Sequence, residues 1–198
     1  SPQEGKSTVA INLSIAIAQS GKRTLLIDAD MRRPRLHKSF GIANDNGLSN
    51  LIIGNQKLQD CVVNTEVEGL EILPCGPIPP NPAELLHTEN FRMVLKELKQ
   101  QYEQIIFDSP PVSPVTDAMI LGSILDGVVF IAHAGKTRIP AARQSKRRLE
   151  DVGGRILGIV LNNVDLEGRS RSGYYDDQYY YYHRSGYYYE DTATVEQA

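Results

Sequence analysis

Two patterns of apolar positions alternate along residues 6–164. Between residues 6 and 20 the apolar side chains recur on one helical face, which predicts a helix that ends at Gly21. The short apolar run at residues 24–27 stops at Asp28, which is typical of a buried parallel strand. The same patterns predict helices at residues 88–102, 116–125 and 138–152, and strands at residues 70–73, 104–107, 127–132 and 156–161.

This alternation predicts an α/β fold. Apolar strands separated by helices favour a mostly parallel sheet with helices on both faces. Ligands of such sheets bind beyond the carboxyl ends of the strands, where Asp28, Asp108 and Asn162 stand. Residues 31–69 are mixed and broken by glycines, and the proline-rich residues 76–82 are expected to form a loop.

The composition changes at residue 165. Residues 165–198 contain almost no aliphatic side chains but carry nine of the ten tyrosines of the chain. Because such a segment cannot supply an aliphatic core, we predict a folded domain at residues 1–164 and a flexible tail at residues 165–198.

Composition and charge narrow the classes of function. The chain has 198 residues with 41% hydrophobic content, enough for one domain with its own core. A net charge of −3 argues against nucleic-acid binding, which usually needs a basic domain. Cys61 and Cys75 lack metal-ligand spacing and fit a reducing, cytoplasmic setting. No apolar run approaches the ~18 residues of a membrane span, and no signal peptide is expected.

A phosphate-binding motif stands at the start of the chain. Glu4-Gly5-Lys6-Ser7-Thr8 matches the second half of G-x-x-x-x-G-K-[ST], whose backbone N–H groups and helix N-terminus bind phosphate. Lys6 would reach the β- and γ-phosphates, and Ser7 would bind Mg²⁺. Since this loop normally follows a strand, we expect a P-loop NTPase three-layer sandwich with a truncated first strand and further chain upstream. The alternative is a chance Gly-Lys-Ser at a helix start.

Acidic side chains follow two of the predicted strands. Asp28 and Asp30 come after the strand at residues 24–27, and Asp108 follows the strand at residues 104–107. Mg²⁺ prefers oxygen ligands, typically one or two carboxylates with phosphates and water. The three acids therefore predict a metal site beside the phosphate loop. The alternative is that Asp30 and Asp108 cap the segments that follow them.

Taken together, these motifs resemble a known family. The run Leu-Ile-Asp-Ala-Asp-Met-Arg-Arg-Pro at residues 26–34 is similar to its A-prime motif, and Asp-Ser-Pro-Pro at residues 108–111 to its Walker B motif. The segment at residues 76–86 and the closing tyrosine cluster are also similar. The family is that of the bacterial tyrosine kinases, the cytoplasmic kinase domains of polysaccharide co-polymerases. The resemblance covers essentially the whole chain.

The resemblance implies ATP and Mg²⁺ as cofactors and a protein-tyrosine kinase as the activity. It places Lys6, Asp28, Asp30 and Asp108 in the catalytic site, with the metal held by Ser7, Asp30 and Asp108. Asp28 is the candidate that assists deprotonation of the tyrosine hydroxyl. The residues expected at the nucleotide are Glu4, Gly5, Lys6, Ser7, Thr8 and Asn162. For Asn162, contact with the adenine edge and a role in a turn are both open.

The tyrosine-rich tail supplies candidate phosphoacceptors. They are Tyr174, Tyr175, Tyr179, Tyr180, Tyr181, Tyr182, Tyr187, Tyr188 and Tyr189. A stretch of this kind can also serve non-catalytic adhesive contacts. An ATP site in the same chain favours autophosphorylation, with the tail of one subunit entering the site of the next.

The resemblance also implies partners and a location. We expect a homo-oligomer, a membrane activator domain in the same or a separate chain, and a protein-tyrosine phosphatase. The kinase would regulate capsular or exopolysaccharide synthesis and export. It would lie in the cytoplasm, at the inner face of the plasma membrane, through a part outside this chain.

Two positions depart from related patterns. Gln3 stands where many bacterial tyrosine kinases carry glycine. Ser1 stands four residues before Gly5, where partitioning and cell-division ATPases of the same fold carry a signature lysine. Those switch ATPases are the alternative function, and the absence of lysine favours the kinase.

Basic residues remain with open roles. Arg143, Lys146, Arg147 and Arg148 share one predicted helix and form either a solvated face or a contact with a neighbouring tail. Arg32 or Arg33, next to the A-prime acids, is expected to pair with a carboxylate or to contact phosphate.

Overall fold

The computed structural model describes residues 4–113 and 115–165. The chain divides into two units, Ser1–Val164 and Asp165–Ala198, and all elements given below belong to the first. The predicted tail and its candidate phosphoacceptors therefore lie outside the described residues, apart from Asp165, as do Ser1 and Gln3.

Helices and strands alternate along the described residues. The helices are α1 (Lys6–Gln19), α2 (Leu36–Ser39), α3 (Leu48–Ile53), α4 (Leu58–Cys61), α5 (Pro82–Leu86), α6 (Glu89–Gln101), α7 (Asp117–Ile124) and α8 (Ile139–Asp151). The strands are β1 (Thr24–Asp28), β2 (Val63–Asn64), β3 (Leu70–Leu73), β4 (Gln104–Asp108), β5 (Val128–His133) and β6 (Ile156–Asn162). Each helix and strand predicted from the apolar pattern is confirmed, with ends within one residue of the prediction.

Residues 31–69, which show no regular apolar pattern, contain short elements. It holds α2, α3, α4 and β2, none longer than six residues. Elements of this length have too few turns to show a period, so tertiary contacts must hold them. The predicted loop at residues 76–82 ends in α5, where Pro82 occupies the first turn, a position that needs no N–H.

The strands form two sheets. In the first the order is β2-β3-β1-β4, with β1 parallel to both β3 and β4, and β2 antiparallel to β3. In the second, β5 and β6 are parallel. The expectation of a mostly parallel sheet with flanking helices is confirmed, although the described strands are divided between two sheets.

A cleft lies between the two sheets. Among the described residues, β4 pairs only with β1 and β5 pairs only with β6. The cleft has a volume of about 830 Å³, and side chains of β4 and β5 line it, including Phe107 and Ile131. A strand that leads into the phosphate loop stays a prediction, and this cleft offers it two strand edges for pairing.

The core explains why β1 is the central strand. All five residues of β1 are buried, and alternate residues enter different clusters. Leu25 and Ile27 pack in a cluster with apolar side chains of α3 and α6, whereas Leu26 packs with side chains of α1 and with Leu36. A strand buried on both faces and paired on both edges gives its carboxyl end a fixed position.

None of the described helices is long and apolar enough to cross a membrane.

Candidate nucleotide and phosphotransfer site

The described part of the phosphate loop turns into α1 at Gly5. Gly5 has φ of 86° and directly precedes Lys6, the first residue of α1. A Cβ at this position would lie 2.0 Å from Nδ2 of Asn162. The position therefore needs glycine for its left-handed backbone and for the approach of Asn162. The predicted helix start is confirmed, and the phosphate-binding role of the loop stays a prediction.

Glu4 fastens the loop to the second sheet. The Nδ2 of Asn162, at the end of β6, donates to the Glu4 carbonyl at 2.9 Å. Thr137 Oγ1 donates to Oε1 of the buried Glu4 carboxylate at 2.8 Å and accepts from the N–H of His133 at 2.9 Å. Glu4 and Asn162 thus support the loop, and their predicted contacts with nucleotide stay predictions. Thr137 was missed, because nothing near it in the sequence marks a partner 133 residues away.

Asp108 is the acid next to the phosphate loop. It lies at the end of β4, is 5% exposed, and accepts a hydrogen bond from the hydroxyl of Ser7. Burial raises the pKa of Asp108 to about 6; the Ser7 hydrogen bond lowers it, the charges of Asp28 and Asp30 raise it, and the charge of Lys6 lowers it. Removal from water and neighbouring like charges both disfavour a carboxylate. The site therefore holds an anion that a bound cation would stabilise.

Asp28 is fully buried and bonded to main chain on both oxygens. Its Oδ1 accepts from the N–H of Asp30 at 3.2 Å, and its Oδ2 accepts from the N–H groups of Arg35 and Leu36 at 2.9 Å each. The pKa of Asp28 is raised, chiefly by burial and also by the charge of Asp30, although these three hydrogen bonds lower it. Asp28 thus holds the loop after β1 and satisfies the free N–H groups at the start of α2.

Asp30 is partly buried in the loop that follows β1. Its Oδ1 accepts from the N–H groups of Arg32 at 3.2 Å and Arg33 at 3.0 Å. These bonds are the local capping that was the alternative role for Asp30. Within the described residues, Oδ2 of Asp30 accepts no hydrogen bond. One oxygen of Asp30 is therefore available to a ligand.

The metal site predicted at these acids stays a prediction. No group of three His, Cys, Asp or Glu side chains in the described residues is placed to hold a metal ion. Three converging carboxylates at a metal stay a prediction, and the three main-chain hydrogen bonds of Asp28 make it the weakest candidate ligand among them. A set of Ser7, Asp108 and Asp30 still fits Mg²⁺, which usually takes one or two carboxylates and completes its shell with phosphates and water.

Other candidate residues are placed as follows. Thr8 is exposed in the first turn of α1. Arg32 pairs with Asp117, a buried residue that sequence reasoning did not single out. In the basic cluster of α8, Lys146 pairs with Glu150, and Arg148 lines the cleft.

A family model and curated proteins match most of this chain. A family model described as an AAA domain matches residues 4–132. The tyrosine-protein kinase YwqD of Bacillus subtilis is 40% identical over 174 residues, which are 88% of this chain and 73% of that protein.

Solved structures of a tyrosine kinase domain and of a cell-division protein superpose on this chain. The kinase domain of the Escherichia coli tyrosine kinase ETK superposes with a TM-score of 0.82 at 33% identity, covering 88% of this chain and 68% of that one. The septum site-determining protein MinD of Pyrococcus horikoshii, solved with Mg-ADP, has a TM-score of 0.70 at 27% identity, covering 86% and 69%. The fold is that of a nucleotide-binding P-loop domain, and the chain belongs to the family of bacterial tyrosine kinases.

Proposed function

We propose that this chain transfers the γ-phosphoryl group of ATP to tyrosine hydroxyls, including those at residues 174–189. The observation that supports this most is the pairing of Ser7 with the buried Asp108 beside Lys6. The start of α1 and the end of β4 thus supply a hydroxyl, a carboxylate and an ammonium group that interact with one another. Groups of these kinds bind the phosphates and Mg²⁺ in enzymes of phosphoryl transfer.

Positive groups of the site are proposed to bind phosphate, and oxygen ligands are proposed to bind the metal. The N–H groups at the start of α1 and the side chain of Lys6 bind the phosphates of ATP. Ser7, Asp30 and Asp108 would hold Mg²⁺, which when bound neutralises charge that develops on the phosphates. Because tyrosine is itself a competent nucleophile, fixed positions and charge neutralisation supply most of the rate.

Asp28 is proposed to assist the loss of the phenol proton. Its carboxylate accepts three N–H bonds, one on Oδ1 and two on Oδ2, which leaves one acceptor site on Oδ1 for a proton. A phenol has a pKa of about 10, and such assistance needs to be small once the hydroxyl lies next to bound ATP. The loop-holding role of Asp28 is compatible with this one.

The substrate tyrosines are proposed to come from a neighbouring subunit. Each phosphate adds roughly 1.5 to 2 negative charges, so several would make the tail strongly anionic. Repulsion from Asp28, Asp30 and Asp108 and from other tails would then break up self-association. In the cell we propose a membrane activator and a phosphatase as partners, and polysaccharide synthesis and export as the regulated process.

A switch ATPase is the second candidate. The similarity to MinD, which was solved with Mg-ADP, favours it for the nucleotide site itself. The tyrosine cluster at residues 174–189 has no evident use in such a switch. The two functions differ in product, since a switch yields free phosphate and no phosphotyrosine.

Phosphotyrosine mapping after incubation with Mg-ATP tests the proposal. We expect phosphate within residues 174–189, its loss in Lys6→Met, and its retention in Lys22→Met, which removes an exposed lysine remote from the site. The phosphorylated chain should also sediment as a smaller species than Lys6→Met. Steady ATP hydrolysis without phosphotyrosine would instead establish the switch ATPase.

A further inference from the structure

An ion pair joins the loop that follows β1 to the first residue of α7. The Nε of Arg32 donates to Oδ2 of Asp117 at 2.9 Å, and Nη2 of Arg32 donates to Oδ1 at 3.3 Å. The Arg32 side chain is 41% exposed, whereas that of Asp117 is 1% exposed. A guanidinium that contacts both oxygens of a buried carboxylate fixes direction as well as distance. The pair is thus a directional contact between positions 85 residues apart.

Each partner is connected to an acid of the site. The N–H of Arg32 donates to Oδ1 of Asp30 at 3.2 Å, so the residue that holds Asp117 also contacts Asp30. Asp117 begins α7, which follows the loop that leaves Asp108. At the strand ends, the N–H of Ala29 donates to the carbonyl of Asp108 at 2.9 Å. The loop after β1 is therefore joined twice to the chain between β4 and α7, by a main-chain bond at Asp108 and by the ion pair at Asp117.

Stability is a weak reason for such a pair. Burial of a carboxylate costs desolvation free energy, and well-packed apolar residues in place of a buried ion pair are often as stable or more so. Apolar residues cannot supply the fixed direction of a guanidinium on two oxygens. Direction matters at this site because Mg²⁺ demands near-ideal octahedral geometry from its ligands.

We propose that Arg32 and Asp117 are positioning residues that set the place of Asp30 relative to Asp108 for one shared divalent cation. The inference rests on the proposed function, since it assumes that these acids hold Mg²⁺ during phosphoryl transfer. Arg32 and Asp117 act through Asp30 and do not contact the reacting atoms. Substitution of Arg32 or Asp117 should therefore raise the Mg²⁺ concentration needed for activity while leaving the protein folded.

A Mg²⁺ titration of the full chain tests this inference. Phosphotyrosine formation at saturating ATP, and binding of a fluorescent ATP analogue, are measured as Mg²⁺ is raised. We expect Arg32→Ala to raise the Mg²⁺ midpoint about tenfold or more, as loss of supporting contacts does at other metal sites. Arg32→Lys keeps the positive charge but cannot contact both carboxylate oxygens with a planar guanidinium. Its Mg²⁺ midpoint should therefore lie between those of the unsubstituted chain and Arg32→Ala. The rate at saturating Mg²⁺ falls less than the midpoint shifts.

The control is Lys38→Ala, which removes the same charge from the exposed face of α2. Its midpoint should match that of the unsubstituted chain. Asp117→Asn should behave like Arg32→Ala, and the double variant should be no weaker than the weaker single one. If Asp117→Asn fails to fold, the Mg²⁺ midpoints of the Arg32 variants alone test the inference, because the Arg32 side chain is partly exposed and its replacement disturbs the core less.

Two results overturn the inference. One is a Mg²⁺ midpoint for Arg32→Ala equal to that of Lys38→Ala. The other is a double variant whose effect is the product of the two single effects. An unsubstituted chain that forms no phosphotyrosine at any Mg²⁺ concentration would refute the proposed function instead, so the two failures are distinct.

Discussion

Strands β1 and β6 are both apolar and parallel, yet their surroundings are opposite. All five residues of β1 are buried, and the strand pairs with β3 and β4. In the described residues β6 pairs only with β5, and Leu157 and Ile159 are 59% and 62% exposed. Equal hydrophobicity therefore does not give equal burial, because neighbours on both faces and both edges decide it.

The ends of the two strands differ in the same way. β1 ends in Asp28, a buried carboxylate, whereas β6 ends in Asn162, a neutral amide that holds Glu4. A buried carboxylate opposes folding strongly unless it is bonded or neutralised, whereas a buried amide costs less and needs only hydrogen-bond partners. The fully buried strand thus ends in a charged group, whereas the less buried strand ends in an amide that supports the phosphate loop.

A matched pair of leucine substitutions tests the contrast in burial most directly. We expect Leu26→Ala in β1 to lower the free energy of unfolding by about 3 to 4 kcal/mol, because it leaves a cavity in the core. Leu157→Ala in β6 removes the same atoms from an exposed position and should cost less than about 1 kcal/mol. Urea unfolding at one pH and without nucleotide measures both. Equal losses would show that β6 is as well covered as β1.

The pH dependence of stability tests the contrast in charge. Asp108 has a folded pKa of about 6, above its ordinary value, so the folded state binds the proton more tightly than the unfolded state. Without Mg²⁺, the free energy of unfolding should therefore fall as pH rises from about 4 to about 6, by up to about 3 kcal/mol for this group. Denaturant titrations at a series of pH values measure this fall.

Asp108→Asn is the control for that prediction. It should be more stable than the unsubstituted chain near neutral pH and should have a smaller pH dependence. Some dependence remains, because burial also raises the pKa of Asp28. An identical pH profile in both proteins would assign the effect to other groups.

The smallest expected effect lies at the end of the second sheet. Thr137→Val keeps the shape of the side chain but removes the hydroxyl that bonds Glu4 and the His133 N–H. We expect a loss of about 1 to 2 kcal/mol in stability together with weaker nucleotide binding, since buried polar groups lose their partner. Thr137→Ser keeps the hydroxyl and should retain most of both. Similar losses in the two variants would point to the methyl group.

Sequence reasoning identified what local patterns encode. The bounds of β1 and β4 follow from apolar runs that stop at Asp28 and Asp108, and Gly5-Lys6 marks the start of α1. Helix α2 could not be predicted in this way, because two N–H groups at its start are bonded by Asp28, which belongs to the preceding strand.

The supporting contacts of the site were also hidden from the sequence. Thr137 and Asp117 are ordinary residues by local criteria, and their partners are 133 and 85 residues away. The site acids could be named because strand ends converge in a parallel sheet. Their hydrogen-bond partners could not, since these depend on how loops from separate strands meet. Asp28 illustrates this, because its three N–H bonds appear only in the fold.

The pairing of β1 with β4 has one more consequence. Asp28 lies opposite Asp108 in the parallel register, so both side chains leave the same face of the sheet. A slip of one residue between these strands would send one of the two carboxylates to the other face. A molecule that misfolded in this way would keep its apolar content but lose the site. Nucleotide binding is therefore also an assay of correct strand alignment, and single-residue insertions or deletions within β1 or β4 should abolish it even in molecules that remain folded.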